Sequence, residues 1–182
     1  DGDQHGVEDA ASVTGDVTIS ISGATVNGAV FGGGRGITEQ PSVAAVNAGE
    51  IRILIGDGAT IGTASSEYSV FGGGATAYTD ASRVEITLGP STLNGDVHAG
   101  GFGVLPGGSD ATVSTGPIMV HDCVRDVILN GATINGSLYG GSRVGDDAPS
   151  TGDPSESDYG NVTLSLEAGV VMENVFGGGF LG

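Results

Sequence analysis

The sequence predicts an all-β protein, a parallel β-solenoid (β-helix) of about five repeats. One observation is a phrase, GATVNGAVFGGG at residues 23–34, that recurs four more times with variation. Another is that its internal length is fixed. Thirteen positions separate Val17 from Val30, Val84 from Val97, Arg125 from Leu138 and Val162 from Val175. The connections vary instead, with equivalent first-strand positions 34, 33, 41 and 37 residues apart. A rigid unit joined by variable connections is the pattern of a solenoid. Composition agrees: 36 of 182 residues are Gly, Trp is absent, and Val, Ile, Leu and Ala supply most of the apolar content. That suits a thin, strand-lined core.

Within the first repeat, Val17, Ile19 and Ile21 alternate with Thr18, Ser20 and Ser22, a period-two strand with one buried face. Gly23 and Ala24 bend the chain, Thr25 and Val26 begin a second short strand, and Asn27-Gly28 tolerates positive φ. Val30 and Phe31 return to packing, and residues 32–34 close the unit. The second repeat runs from Ile51 to Val70 with six extra residues around 64–68. The predicted organisation is a polar tail or cap over residues 1–13 and one repeat domain over 14–182, with copies near 14–36, 47–77, 80–103, 124–145 and 159–182.

In a parallel solenoid, equivalent residues stack. Val26, Ile61, Leu93, Ile134 and Val171 form one inward ladder; Val30, Val70, Val97, Leu138 and Val175 form a second. Phe31, Phe71, His98, Tyr139 and Phe176 form a third, partly aromatic, in which His98 is a substituted packing position. Glycines permit close backbone approach and unusual dihedrals at corners. The alternative is an antiparallel β-sandwich or prism, in which Asn27-Gly28, Asn94-Gly95 and Asn135-Gly136 are hairpin turns. The short flanks of these dipeptides, and the lack of Asn-Gly in the second repeat, favour the solenoid.

The phrase V-x-I-x-I-x-G-x-T-V-N-G-x-V-F/Y-G-G-G resembles the glycine-rich β-helical repeats of bacterial cell-surface and adhesin-like proteins, including passenger regions of autotransporter type. The resemblance covers nearly the whole chain and specifies repeat type rather than one function. It implies a stalk, an adhesive surface or an assembly module at the cell surface, and it carries over no catalytic residues.

Charge narrows the partners. Twenty-two acidic residues face five Arg and no Lys, a net charge of −17. Such a chain repels nucleic acid and anionic lipid, whose recognition needs Lys and Arg. The expected partners are cations, other protein chains, by self-association or on a host, or neutral glycans. An acidic surface also keeps a long sheet soluble. No apolar run approaches the roughly 20 residues of a membrane-spanning helix, so no membrane insertion is expected. A start at Asp1 reads as a processed or excised product, and a stop at GGGFLG as a cut from a longer array or an open end in use.

Residues 145–160 hold Asp146, Asp147, Asp153, Glu156 and Asp158 among Pro and Ser. Five carboxylates in a flexible loop are a candidate Ca²⁺ site, since calcium takes six to eight oxygen ligands; the simpler reading is a solvated insertion. No other cofactor is expected. DGDQHG places Asp1, Asp3 and Gly6 like the start of an EF-hand loop, but His5 and Ser12 replace expected ligands, leaving a polar tail. His121-Asp122-Cys123 pairs a base with a nucleophile and lacks a completing group, so a buried structural Cys123 is the reading. FGGGRG at 31–36 lacks the G-K-[ST] of a phosphate loop. Asn135-Gly-Ser and Asn161-Val-Thr are glycosylation sequons only in a eukaryotic secretory setting.

Some parallel β-helices process polysaccharides. That chemistry needs carboxylates at defined separation, or calcium with a basic residue. Lys is absent and Arg35, Arg52, Arg83, Arg125 and Arg143 are scattered. The expected function is therefore a non-catalytic extracellular structural or adhesive module, with filament assembly through open ends as the alternative. An enzyme acting on polysaccharide is a distant third. The variable connections around 64–68, 105–110 and 145–159 are the expected contact loops.

Overall fold

The structure is a computed structural model describing residues 13–35, 46–65, 69–75, 79–102, 119–120, 123–143 and 161–180. The described residues are all-β, with no helix among them. The first repeat contributes β1 (Val13–Thr14), β2 (Val17–Ser22), β3 (Thr25–Val26) and β4 (Val30–Phe31). The second contributes β5 (Val46–Gly56), β6 (Ala59–Ile61) and β7 (Val70–Phe71); the third, β8 (Thr79–Leu88), β9 (Ser91–Leu93) and β10 (Val97–His98). Then come β11 (Met119–Val120), β12 (Val124–Ile134) and β13 (Leu138–Tyr139), and finally β14 (Val162–Val171) and β15 (Val175–Phe176).

Every pairing among these strands is parallel. A ten-stranded sheet holds the long strands, and a five-stranded sheet runs β15-β13-β10-β7-β4. In the larger sheet the register joins Val17 to Ile51, Ile51 to Val84, Val84 to Arg125 and Arg125 to Val162. It also joins Val26, Ile61, Leu93, Ile134 and Val171 in order. The smaller sheet joins Val30, Val70, Val97, Leu138 and Val175, and beside them Phe31, Phe71, His98, Tyr139 and Phe176. Each repeat thus hydrogen-bonds to the one before and the one after.

The antiparallel alternative does not form. Asn27-Gly28 lies between β3 and β4, yet β3 pairs with β6 and β4 with β7. Asn94 and Asn135 have a different use: Asn135 Nδ2 donates to Asn94 Oδ1 at 2.9 Å, and Asn94 Nδ2 donates to the Gly62 carbonyl at 3.1 Å. The side-chain amide bridges repeats, which explains Asn without a hairpin.

Alternation sets the core. Ile51, Ile53 and Ile55, Val84, Ile86 and Leu88, and Val127 and Leu129 are buried from the long strands. Ile61, Leu93 and Ile134 join them from the next ladder, and Val70, Val97 and Leu138 from the smaller sheet. Arg125 occupies a ladder position otherwise held by Val or Ile and is itself buried. Sequence alternation alone would have placed an apolar residue there. Cys123 is buried among the apolar core, its Sγ 3.8 Å from the Val124 carbonyl; His121 and Asp122 lie outside the described residues.

Burial is graded along the stack. The three middle repeats are covered from both sides, whereas Val17, Ile19 and Ile21 of the first are half-buried. In the last repeat Leu166 is 51 % exposed, Met172 63 %, Phe176 44 % and Phe180 51 %. These are ladder or ladder-adjacent positions with no described repeat beyond them.

Candidate functional site

The third ladder becomes a continuous ring stack. Phe31 and Phe71 lie 5.0 Å apart between centroids, Phe71 and His98 5.0 Å, His98 and Tyr139 4.6 Å, and Tyr139 and Phe176 5.0 Å, all within 11° of parallel. The spacing follows from the strands, which sit about 4.8 Å apart in a sheet. A flat ring in each repeat therefore falls at stacking distance of the next. His98 keeps the stack intact as a flat ring, fully buried between Phe71 and Tyr139.

A fourth column stands over this one. Four residues past each ring come Arg35, Ala75, Phe102, Arg143 and Phe180. Backbone bonds of 2.9–3.0 Å align them: Ala75 N to Gly34 O, Phe102 N to Gly74 O, Arg143 N to Gly101 O and Phe180 N to Ser142 O. Phe102 meets Phe31 and Phe71 edge-on at 6.3 and 5.3 Å, and Phe180 meets Tyr139 at 5.7 Å. The Arg143 guanidinium lies 4.9 Å from the Phe102 centroid, within cation–π range. Sequence reading missed this column because its five residues are chemically unlike. The constant offset of four was the available signal.

Ring stack and column enclose two sides of a cleft of about 550 Å³. A polar wall of the cleft carries Asn94, Asp96, Asn135 and Glu173. Ser137 ties that wall together: its N–H donates to Asp96 Oδ1 at 2.8 Å and its hydroxyl to Glu173 Oε2 at 3.0 Å. The Asp96 N–H in turn donates to Ser69 Oγ at 3.1 Å. Lining residues come from all five repeats, from Ala29 and Phe31 to Glu173 and Phe180.

The Asp96 carboxyl is held below its ordinary 3.8. The His98 ring, 3.9 Å away at Nε2, is the main cause, followed by the Ser137 N–H and Arg143, against an opposing push from partial burial. A depressed folded-state value means the ionised carboxylate stabilises the fold above that value, and the contribution disappears as pH falls through it. Asp96→Asn is therefore less stable than the parent at neutral pH, with the gap closing as pH drops below 3.8. Urea midpoints of both proteins from about pH 7 to about pH 2.5 check this; a constant gap removes the account.

Asp146, Asp147, Asp153, Glu156 and Asp158 lie outside the described residues, as do Asp1, Asp3, His5 and Gly6. Among the described residues, no three His, Cys, Asp or Glu side chains group so as to hold a metal ion. Arg52 pairs with Glu50 at 2.6 Å, and Arg83 with Glu85 and Asp126 at 2.9 and 2.8 Å. Only Arg143 among the five Arg lines the cleft. Among the described residues no helix is long and apolar enough to cross a membrane.

Comparison with protein-family models, curated proteins and solved structures finds no match to this chain.

Proposed function

We propose that the chain is a parallel β-solenoid of five coils that serves as a non-catalytic, extracellular structural repeat module. The observation carrying this reading is the register. The same sequence positions pair from each repeat to the next, in order, across both sheets. A unit that cannot bury its own apolar face is completed by its neighbours, and the product is a stiff rod. The resemblance to bacterial surface repeats supplies the extracellular setting.

Modularity tests this. Tandem duplication of residues 84–124 adds one coil, giving a cooperatively folded protein about 4.8 Å longer by small-angle scattering. A duplicated chain that fails to fold, or folds with the extra segment unstructured, overturns it.

A second reading, end-to-end assembly, rests on a separate observation. The fifth coil exposes Leu166, Val175 and Phe176, all ladder positions. The first coil carries Ile21, Val30 and Phe31 at the equivalent positions with half-buried or buried faces. A second molecule placing its first coil on this fifth coil would continue each ladder with like residues and satisfy the strand edge.

A further inference from the structure

The cleft over the ring stack has a shape and chemistry that the structural role alone does not require. We propose that it binds a neutral oligosaccharide chain lying along the solenoid axis. The inference rests on the five-coil reading, because the cleft takes its lining from every coil. Four intervals of strand spacing make it about 19 Å long, the reach of a linear chain of about four rings rather than a single small molecule.

Three features choose the ligand class. The first is its mixed polarity. Asp96 and Glu173 accept hydrogen bonds, Arg143 donates them, and Asn94 and Asn135 carry amides of both kinds. A ligand rich in hydroxyls, each both donor and acceptor, answers all of these. Phe102 and Phe180 stand on edge above the stack and offer apolar surface to the C–H face of a sugar ring.

The second is charge. A chain of net −17 with two carboxylates in the cleft wall disfavours acidic polymers. Within the lining the Arg143 guanidinium, seated against Phe102, offsets part of the charge of Asp96 and Glu173. That partial balance suits a neutral ligand.

The third is backbone pairing. An extended peptide usually binds by adding a strand to an open sheet edge. Along this cleft β7, β10 and β13 are each paired on both sides, so the interior offers no such edge. Recognition falls to side chains, the mode suited to a glycan.

The test is isothermal titration of the intact chain with uncharged tetramers of β-1,4-glucose, β-1,4-N-acetylglucosamine and α-1,4-glucose. A tetragalacturonate and an uncharged tetra-alanine amide serve as contrasting probes. At least one neutral tetrasaccharide is expected to bind, and Phe102→Ala and Arg143→Met each to weaken it about tenfold or more, roughly 1.4 kcal/mol. Arg52→Met, at an exposed ion pair away from the cleft, leaves affinity unchanged. Far-ultraviolet circular dichroism confirms that each variant is folded, and Arg143→Met keeps the test open should Phe102→Ala not fold. Binding by none of the neutral probes, binding only of the acidic or peptide probe, or binding indifferent to both cleft variants overturns the proposal. Coil duplication is read by folding and particle length and not by ligand binding, so failure here and failure of the solenoid reading are separable.

Discussion

Gly72→Ala is expected to destabilise the protein by about 3 kcal/mol or more, while the same change at Gly177 costs under about 0.5 kcal/mol. Both glycines follow the ring of their repeat, Phe71 and Phe176. A methyl at Gly72 overlaps the Ala99 carbonyl oxygen of the next repeat and comes 2.5 Å from Val84 Cγ1, deep in the stack. Neither can retreat: the carbonyl is backbone, and Val84 is fully buried. At Gly177 nothing lies within 4 Å of the added methyl. Neither residue has positive φ, so the difference isolates neighbour approach from conformational preference. Urea denaturation of the two variants reads it directly. Equal losses would mean that the glycine run is needed for its backbone angles, and that the spacing argument is wrong.

Gly177→Ala is also expected to weaken end-to-end association of the protein. If a second molecule continues the ladders past the fifth coil, its Gly32 carbonyl occupies the place that the Ala99 carbonyl occupies beyond Gly72. The methyl that is harmless in the single molecule then crowds the joint, although the third repeat carries such a methyl at Ala99 and still pairs with the fourth. Sedimentation velocity across a concentration series should show parent protein growing into chains and Gly177→Ala associating more weakly. The design separates stacking from ordinary hydrophobic clumping, because an added methyl increases apolar surface and would leave clumping intact or promote it. A parent that stays monomeric throughout, or a variant that associates equally, removes the assembly reading.

Much of this architecture was legible because alternation and constant spacing are properties of single residues in order. The ladder through Val30 follows from counting thirteen positions past the first-strand residue, with six more in the second repeat, and the structure pairs those residues in that order. Asn-Gly was ambiguous for a physical reason. Its tolerance of positive φ is local and serves a hairpin as readily as a corner, and only the Asn135 to Asn94 bond between repeats decides its use. Arg125 shows the opposite limit. Spacing placed it at a ladder position, but its burial depends on neighbours 41 and 37 residues away in sequence. The cleft was least visible of all. Its wall joins Asp96, Ser137 and Glu173 through side-chain bonds across three repeats, and its column mixes Arg, Ala and Phe. No single stretch of sequence announces either.

The graded burial of the five repeats carries a consequence for how the chain opens and closes. In the proposed solenoid each strand answers to the repeat before and after it, so cooperativity travels as a chain of adjacent couplings rather than through one shared nucleus. Among the described residues the middle repeats are covered on both faces and the first and fifth on one. On that reading melting is expected to run inward from the tips, and refolding to spread outward from the second to fourth repeats. A molecule seated on the fifth repeat would convert a fraying tip into an interior, so that lengthening the rod and hardening its end become the same event.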